Sequence, residues 1–253
     1  MEFEFYYYVI FLLTGLVAGF IDAIAGGGGI ITIPVLLASG MPPHIALATN
    51  KLQGTFGSGM ASINFIRKGF ITWSEVMIGV IYTFIGAALG TYAILLMDAS
   101  ILAKIIPAML VGIFIYTLLS PKMGENDRHA YLGNHLFFLV FGIGLGFYDG
   151  FFGPGTGTFW TIALVTLLGF NLKKATAQTK VMNFTSNIVS LAVFLWSGNV
   201  LILVGLLMGF GQIIGAYIGS NMVIKKEVKF IRTFFLIMVG LTLLKLIYSS
   251  YIA

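Results

Sequence analysis

The sequence predicts an all-α integral membrane protein made of two inverted five-segment repeats. Each repeat holds a glycine-broken re-entrant or short helix pair near the midplane. Three observations predict this. Hydrophobic residues fill 58% of the 253 positions and Asp, Glu, Lys and Arg only 9%, against roughly 45–50% and about 25% in soluble chains. The mean hydropathy of +1.00 leaves too much apolar surface for any aqueous core to hide. Finally, breakers divide the chain into ten apolar segments, and the last five resemble the first five.

Taken in order, the segments run 5–25, 30–39, 43–66, 71–97 and 100–119, then 132–152, 157–169, 172–196, 200–223 and 229–250. The chain starts acidic, with Glu2 and Glu4, whereas a cleaved signal peptide starts basic, so the first segment reads as a retained membrane helix. The second and seventh segments are shorter than the roughly 17 residues that a crossing needs. Each follows a break: Gly26-Gly27-Gly28-Gly29 in one case, Gly153-Pro154-Gly155-Thr156-Gly157 in the other. Residues 1–120 form the first repeat, 121–131 a cytoplasmic linker and 132–253 the second repeat. At about 20 residues per span, no room is left for a soluble catalytic or nucleotide-binding domain.

At an offset of 127 residues, Phe11, Gly15, Gly19, Asp22, Gly26 and Gly28 match Phe138, Gly142, Gly146, Asp149, Gly153 and Gly155. At an offset of 129, Lys51, Phe65, Gly69, Gly86 and Gly90 match Lys180, Phe194, Gly198, Gly215 and Gly219. Glycine matches are cheap in so biased a chain. The acid and lysine matches are not, because both residue types are scarce.

Positive charge sets the relative orientation. An odd number of crossings per repeat places Arg67, Lys68, Lys122, Arg128, Lys173, Lys174, Lys225, Lys226, Lys229 and Arg232 on one face. The other face keeps only Lys104 and Lys245. An even number, giving parallel repeats, spreads the cations with no bias. The inverted arrangement is therefore expected, in a multi-pass protein of the cell membrane with both termini outside. The net charge of +5 is a topology signal rather than a sign of nucleic-acid binding.

Candidate site residues follow from membrane electrostatics. A helix N-terminus leaves backbone N–H groups unpaired and carries about half a positive charge. Glycine there lets an oxyanion approach the backbone closely. Gly26, Gly27, Gly28 and Gly29 of one break and Gly153, Gly155, Thr156 and Gly157 of the other are expected to line an anion site where the two tips meet. The scattered Gly86, Gly90, Gly215 and Gly219 are read as helix packing.

Lys51 and Lys180 lie inside apolar helices, where a lysine costs about 2.5 kcal/mol or more. They either attract the anion or pair with aspartates, Lys51 with Asp22 and Lys180 with Asp149. Those aspartates are alternatively coupling groups. Asn50, Gln53, Thr55 and Ser58 beside Lys51, and Gln178, Thr179, Asn183, Thr185 and Asn187 beside Lys180, suggest a wet face. His44, His129 and His135 are scattered without ligand spacing, and Cys is absent, so no metal, catalytic residue or cofactor is expected. Trp73 and Trp196 read as interface anchors or packing; Trp160, on a short helix, could line the cavity. Thr72 and Glu75 read as a capping box.

The runs Gly-Phe-Ile-Asp-Ala-Ile-Ala-Gly-Gly-Gly-Gly at 19–29 and Gly-Phe-Tyr-Asp-Gly-Phe-Phe-Gly-Pro-Gly-Thr-Gly at 146–157 carry a resemblance. With Ala48-Thr49-Asn50-Lys51, Gln178-Thr179-Lys180 and the turn at 67–69, they resemble the TauE/SafE family of sulfite and organosulfonate exporters. The resemblance implies a secondary transporter of small sulfur-containing anions such as sulfite, sulfoacetate or related sulfonates. It leaves open the ligand, the direction and the coupling ion. The partners implied are the anion and the lipid bilayer, with a homodimer one oligomeric form left open. An intramembrane enzyme or flippase acting on a phosphorylated lipid is the alternative. It lacks a midplane arginine, since Arg67, Arg128 and Arg232 all sit at the basic face. A cation permease would suit the aspartates but not the lysines.

Overall fold

A computed structural model describes residues 3–102, 104–106, 109, 112 and 129–226. The expected tenth segment, most of the fifth, and residues 121–128 of the linker lie outside the described residues. Helix α1 (Phe5–Ala25) coincides with the first segment and stops at Gly26. There a left-handed φ of +77° lets the Gly26 N–H cap the Asp22 carbonyl, a conformation glycine adopts without Cβ strain. After this break α2 (Gly28–Ala38) starts two residues earlier than expected. Helix α3 (Pro43–Arg67) opens on proline, whose fixed φ suits a first turn. Helix α4 (Trp73–Leu95) starts at the capping box, the Glu75 carboxylate accepting the Thr72 N–H at 2.8 Å.

The second half repeats the order. Helix α5 (Asn134–Phe137) widens into a π-helical turn, Phe138–Gly142, and continues as α6 (Ile143–Phe151). Helices α7 (Thr156–Leu167), α8 (Leu172–Trp196) and α9 (Ile202–Lys225) follow, α8 capped by Asn171, whose Oδ1 accepts the Lys174 N–H at 3.0 Å. Among the described residues α1, α4 and α9 are long and apolar enough to cross a membrane. Helices α3 and α8 have 25 residues each, but polar residues lower their hydropathy. Helices α2 and α7, with 11 and 12 residues, are short.

Both short helices double back. The N–H groups of Tyr131 and Leu132, just before α5, donate to the carbonyl of Leu167, the last residue of α7, at 2.9 and 3.3 Å. Helix α7 therefore ends at the level where α5 begins. In the first half Leu36, near the end of α2, and Met41, just after it, share an apolar cluster with Phe3, Tyr7 and Phe11, before and within the first turns of α1.

The halves interlock rather than stand side by side. Helix α1 packs along α9, and α6 packs along α4. Helices α3 and α8 cross each other at the centre, and each also packs on the fourth helix of the opposite half. Small residues make the approach possible. A Cβ at Gly19 would lie 2.6 Å from the Gln212 carbonyl oxygen, and one at its counterpart Gly146 2.7 Å from that of Thr83. Gly86, Gly90, Gly215 and Gly219 likewise face backbone of the opposing helix, as their packing role requires. At the periphery Lys174, on α8, pairs with Glu75, on α4, at 2.9 Å.

Candidate functional site

The two glycine breaks touch. A Cβ at Gly157 would fall 2.5 Å from the Gly26 Cα, and one at Gly29 would fall 3.2 Å from the Pro154 Cα. The Thr158 hydroxyl donates to the Ala25 carbonyl at 3.0 Å. The second tip thus supplies a donor to a carbonyl at the end of α1 that would otherwise lack a partner away from water.

Beside this contact lies a polar cavity of about 40 Å³, room for roughly three water-sized groups. Of the expected residues, Asp22, Gly26, Gly28, Gly29, Asn50, Gln53, Asp149, Gly153, Thr156, Gly157 and Asn183 line it. Gly27, Gly155, Lys51, Gln178, Thr179 and Lys180 do not. Gly54, Asn187 and Gln212 complete the wall. Gln212 was not expected. Its one signal is being a glutamine in the otherwise apolar segment 200–223, and its counterpart Thr83 offers no echo of it.

The lysines are buried, Lys51 at 1% exposure and Lys180 at 0%, and both are paired. The pairing is crossed. Lys51 meets Asp149 at 2.6 Å and Lys180 meets Asp22 at 3.1 Å, not the partners within their own halves that the sequence suggested. The physical reason is that α3 and α8 cross at the centre, and each lysine side chain reaches over to the last turn of the other half's first helix. Each ammonium also donates to the main-chain carbonyl of its aspartate, in the last turn of α6 or α1, where the helix dipole is negative.

The two pairs differ. Asp149 is enclosed, its side chain 6% exposed, and also accepts the Ser186 hydroxyl. Asp22 is 19% exposed and accepts the Gly28 N–H at 3.2 Å.

A hydrogen-bond chain fixes one wall. Gln212 donates to Gln53. Gln53 donates to the Asn50 Oδ1 at 2.7 Å, and the Thr32 hydroxyl donates to the same atom at 2.5 Å. Both lone pairs of that oxygen are used, so the Asn50 amide keeps its N–H donors for the cavity. On the other wall the Asn183 oxygen accepts nothing; turned over, that amide presents its NH₂ instead. The backbone N–H groups of Gly29 and Gly157 have no partner among the described residues.

Other expected residues find structural places. Thr179 shares a hydrogen bond with Thr161 at 3.1 Å. Thr55 and Thr185 donate back to their own helices, to the carbonyls of Lys51 and Val181, and Ser58 accepts from Asn187 at 3.3 Å. Trp160 is fully buried against Phe137 and Phe138 rather than on the cavity. Trp73 and Trp196 are exposed at helix ends. His44 bonds the Met97 carbonyl at 2.9 Å, and no His, Asp or Glu cluster suited to a metal occurs among the described residues.

Comparison with known proteins places the chain in a family. The family described as sulfite exporter TauE/SafE matches residues 11–246. A "Probable membrane transporter protein" of Haemophilus influenzae is 49% identical over 241 residues, 95% of this chain and 94% of that protein. The "Probable membrane transporter protein YfcA" of Escherichia coli is 44% identical over 242 residues, covering 96% and 90%. A Sinorhizobium relative, "Probable membrane transporter protein ORF9", is 44% identical over 231 residues, covering 91% and 88%. No solved structure matches the chain.

Proposed function

The chain belongs to the sulfite exporter TauE/SafE family, a family of multi-pass membrane transporters and not of enzymes, and from that premise we propose that it is a secondary carrier of small sulfur-containing anions. Sulfite, sulfoacetate and related sulfonates are the class. The anion binds in the cavity where the two glycine tips meet, with the cell-membrane protein's termini outside and its repeats inverted.

The observation that carries this reading is the pair of opposed helix N-termini on one cavity, each offering an unpaired glycine N–H. An oxyanion accepts such donors, and in a low-dielectric interior they count for more than in water. Asn50 and Asn183 add side-chain donors. The lysines stand one residue behind, neutralised by the aspartates, so they contribute field rather than contact. The Lys174–Glu75 pair supports the inverted arrangement, because parallel repeats would put the turns at 67–75 and 171–174 on opposite faces. The doubling back of α2 and α7 supports hairpins that enter and leave by one face. The cavity's small volume supports an occluded central constriction that must open for passage.

Flux into proteoliposomes tests the reading. Sulfite, thiosulfate and sulfoacetate are offered singly, and at least one is expected to accumulate at ten or more times the rate seen in protein-free vesicles. Cation movement with no flux of any of the three would refute the anion assignment.

A further inference from the structure

We propose that Asp22, and not Asp149, is the proton-coupling group, and that one proton binds with each monovalent anion. The inference rests on the anion reading above and deepens it by naming the coupling ion.

The argument is one of charge. Two lysines and two aspartates, all at the centre of the fold, sum to zero. A net charge held away from water is costly. Adding a monovalent anion to this cavity alone leaves a charge of −1 beside two carboxylates, Asp22 and Asp149, the only ionisable side chains on its wall among the described residues. Adding a proton alone leaves +1. Adding both restores zero. The proton comes from water entering the cavity and bonds to a carboxylate oxygen, while the lysine keeps all its own protons. Its positive charge, no longer cancelled, then acts on the anion through its field.

Geometry selects the carboxylate. Asp149 is held at 2.6 Å by Lys51, also accepts from Ser186, and is almost sealed. Asp22 is more loosely held by Lys180 at 3.1 Å and has three times the exposure, 19% against 6%. The groups that contact Asp22 from the packed elements are Lys180 on α8 and the Gly28 N–H on α2, and neutral Gln212 on α9 shares its cavity wall. Across the cavity stands Asp149, cancelled by Lys51. Protonating Asp22 therefore releases one uncompensated cation, Lys180, and disturbs no other pair. The second half's version of the site is a lock, the first half's a latch.

Methanesulfonate is the probe, because it is compact, monovalent and does not itself titrate near neutral pH as sulfite does. In proteoliposomes clamped with potassium and valinomycin, a trapped pH dye should report acidification in step with methanesulfonate entry, one proton per anion. In purified protein, methanesulfonate affinity read by thermal shift should tighten as pH falls, by up to tenfold per unit where Asp22 is ionised. Asp22→Asn fixes the cluster at +1, so it should bind the anion with no pH dependence and move no protons. Asp22→Glu should keep coupling and displace the pH profile. Methanesulfonate flux without proton movement in the unmodified protein would overturn this inference and leave the anion reading standing. Coupling that survives in Asp22→Asn but is lost in Asp149→Asn would also overturn it. Absence of flux for every sulfur anion would remove both.

Discussion

At the scale of the residue, the crossed ion pairs explain how lysines survive at the centre of this fold. Breaking a buried pair leaves one uncompensated charge, which costs about 3–5 kcal/mol, whereas replacing both partners by apolar groups is often tolerated. Lys51→Met should therefore destabilise the protein by about that amount in denaturant unfolding, and adding Asp149→Leu should recover more than half of it. A single-substitution loss below about 1 kcal/mol, typical of exposed pairs, would show that Lys51 is not locked. The four charged residues were legible because charge is scarce in the chain and these recur at two offsets. Their partners were not legible. Matching Lys51 to Asp22 assumes that each repeat is a closed unit, and side-chain reach across an interlock leaves no trace in spacing. Gln212 was missed for a related reason, since the corresponding contact in the other half is Thr83 on the sulfur of Met182, at 3.4 Å.

At the scale of the element, breakers placed nearly every described helix within two residues, since Gly, Pro and charge end helices by local chemistry. The π-helical turn at Phe138–Gly142 was invisible, because it lies in one unbroken apolar run and reflects packing against α4. The glycine tips are where local chemistry and tertiary contact coincide, and they set a sharp prediction. Gly157→Ala would put a methyl 2.5 Å from the Gly26 Cα and 2.8 Å from the Asn183 Nδ2, closer than real atoms approach. It should force the tips apart, cut sulfonate flux at least tenfold and lower thermal stability. Gly144→Ala is the control. That helical glycine has nothing within 4 Å of where its Cβ would sit, so flux and stability should hold. Equal losses in both variants would mean that glycine content, not tip contact, is what transport needs.

At the scale of the whole molecule, the packing is reciprocal. Every principal contact in one half has its counterpart in the other, α1 on α9 with α6 on α4, and α3 on α9 with α8 on α4. Reciprocal packing follows from any twofold relation, parallel or inverted, so it does not by itself choose between them. The charge distribution and the Lys174–Glu75 pair support the inverted arrangement proposed above, and labelling tests it directly. The chain has no cysteine, so single cysteines can be introduced without a background to remove. Inverted repeats place Lys68, Lys174 and Lys226 on the cytoplasmic face and Glu4 outside. Glu4→Cys should react with a membrane-impermeant maleimide on intact cells, whereas Lys68→Cys, Lys174→Cys and Lys226→Cys should react only after permeabilisation. In a parallel arrangement the cysteines at 68 and 174 would report opposite faces. If the proposed anion carriage and inversion hold, the anion meets the same kind of tip from either face, and opening to one side and then the other needs little more than an exchange of roles between the halves. On the proposed reading, the Lys180–Asp22 side, with the longer and more exposed ion pair, is the one expected to yield first.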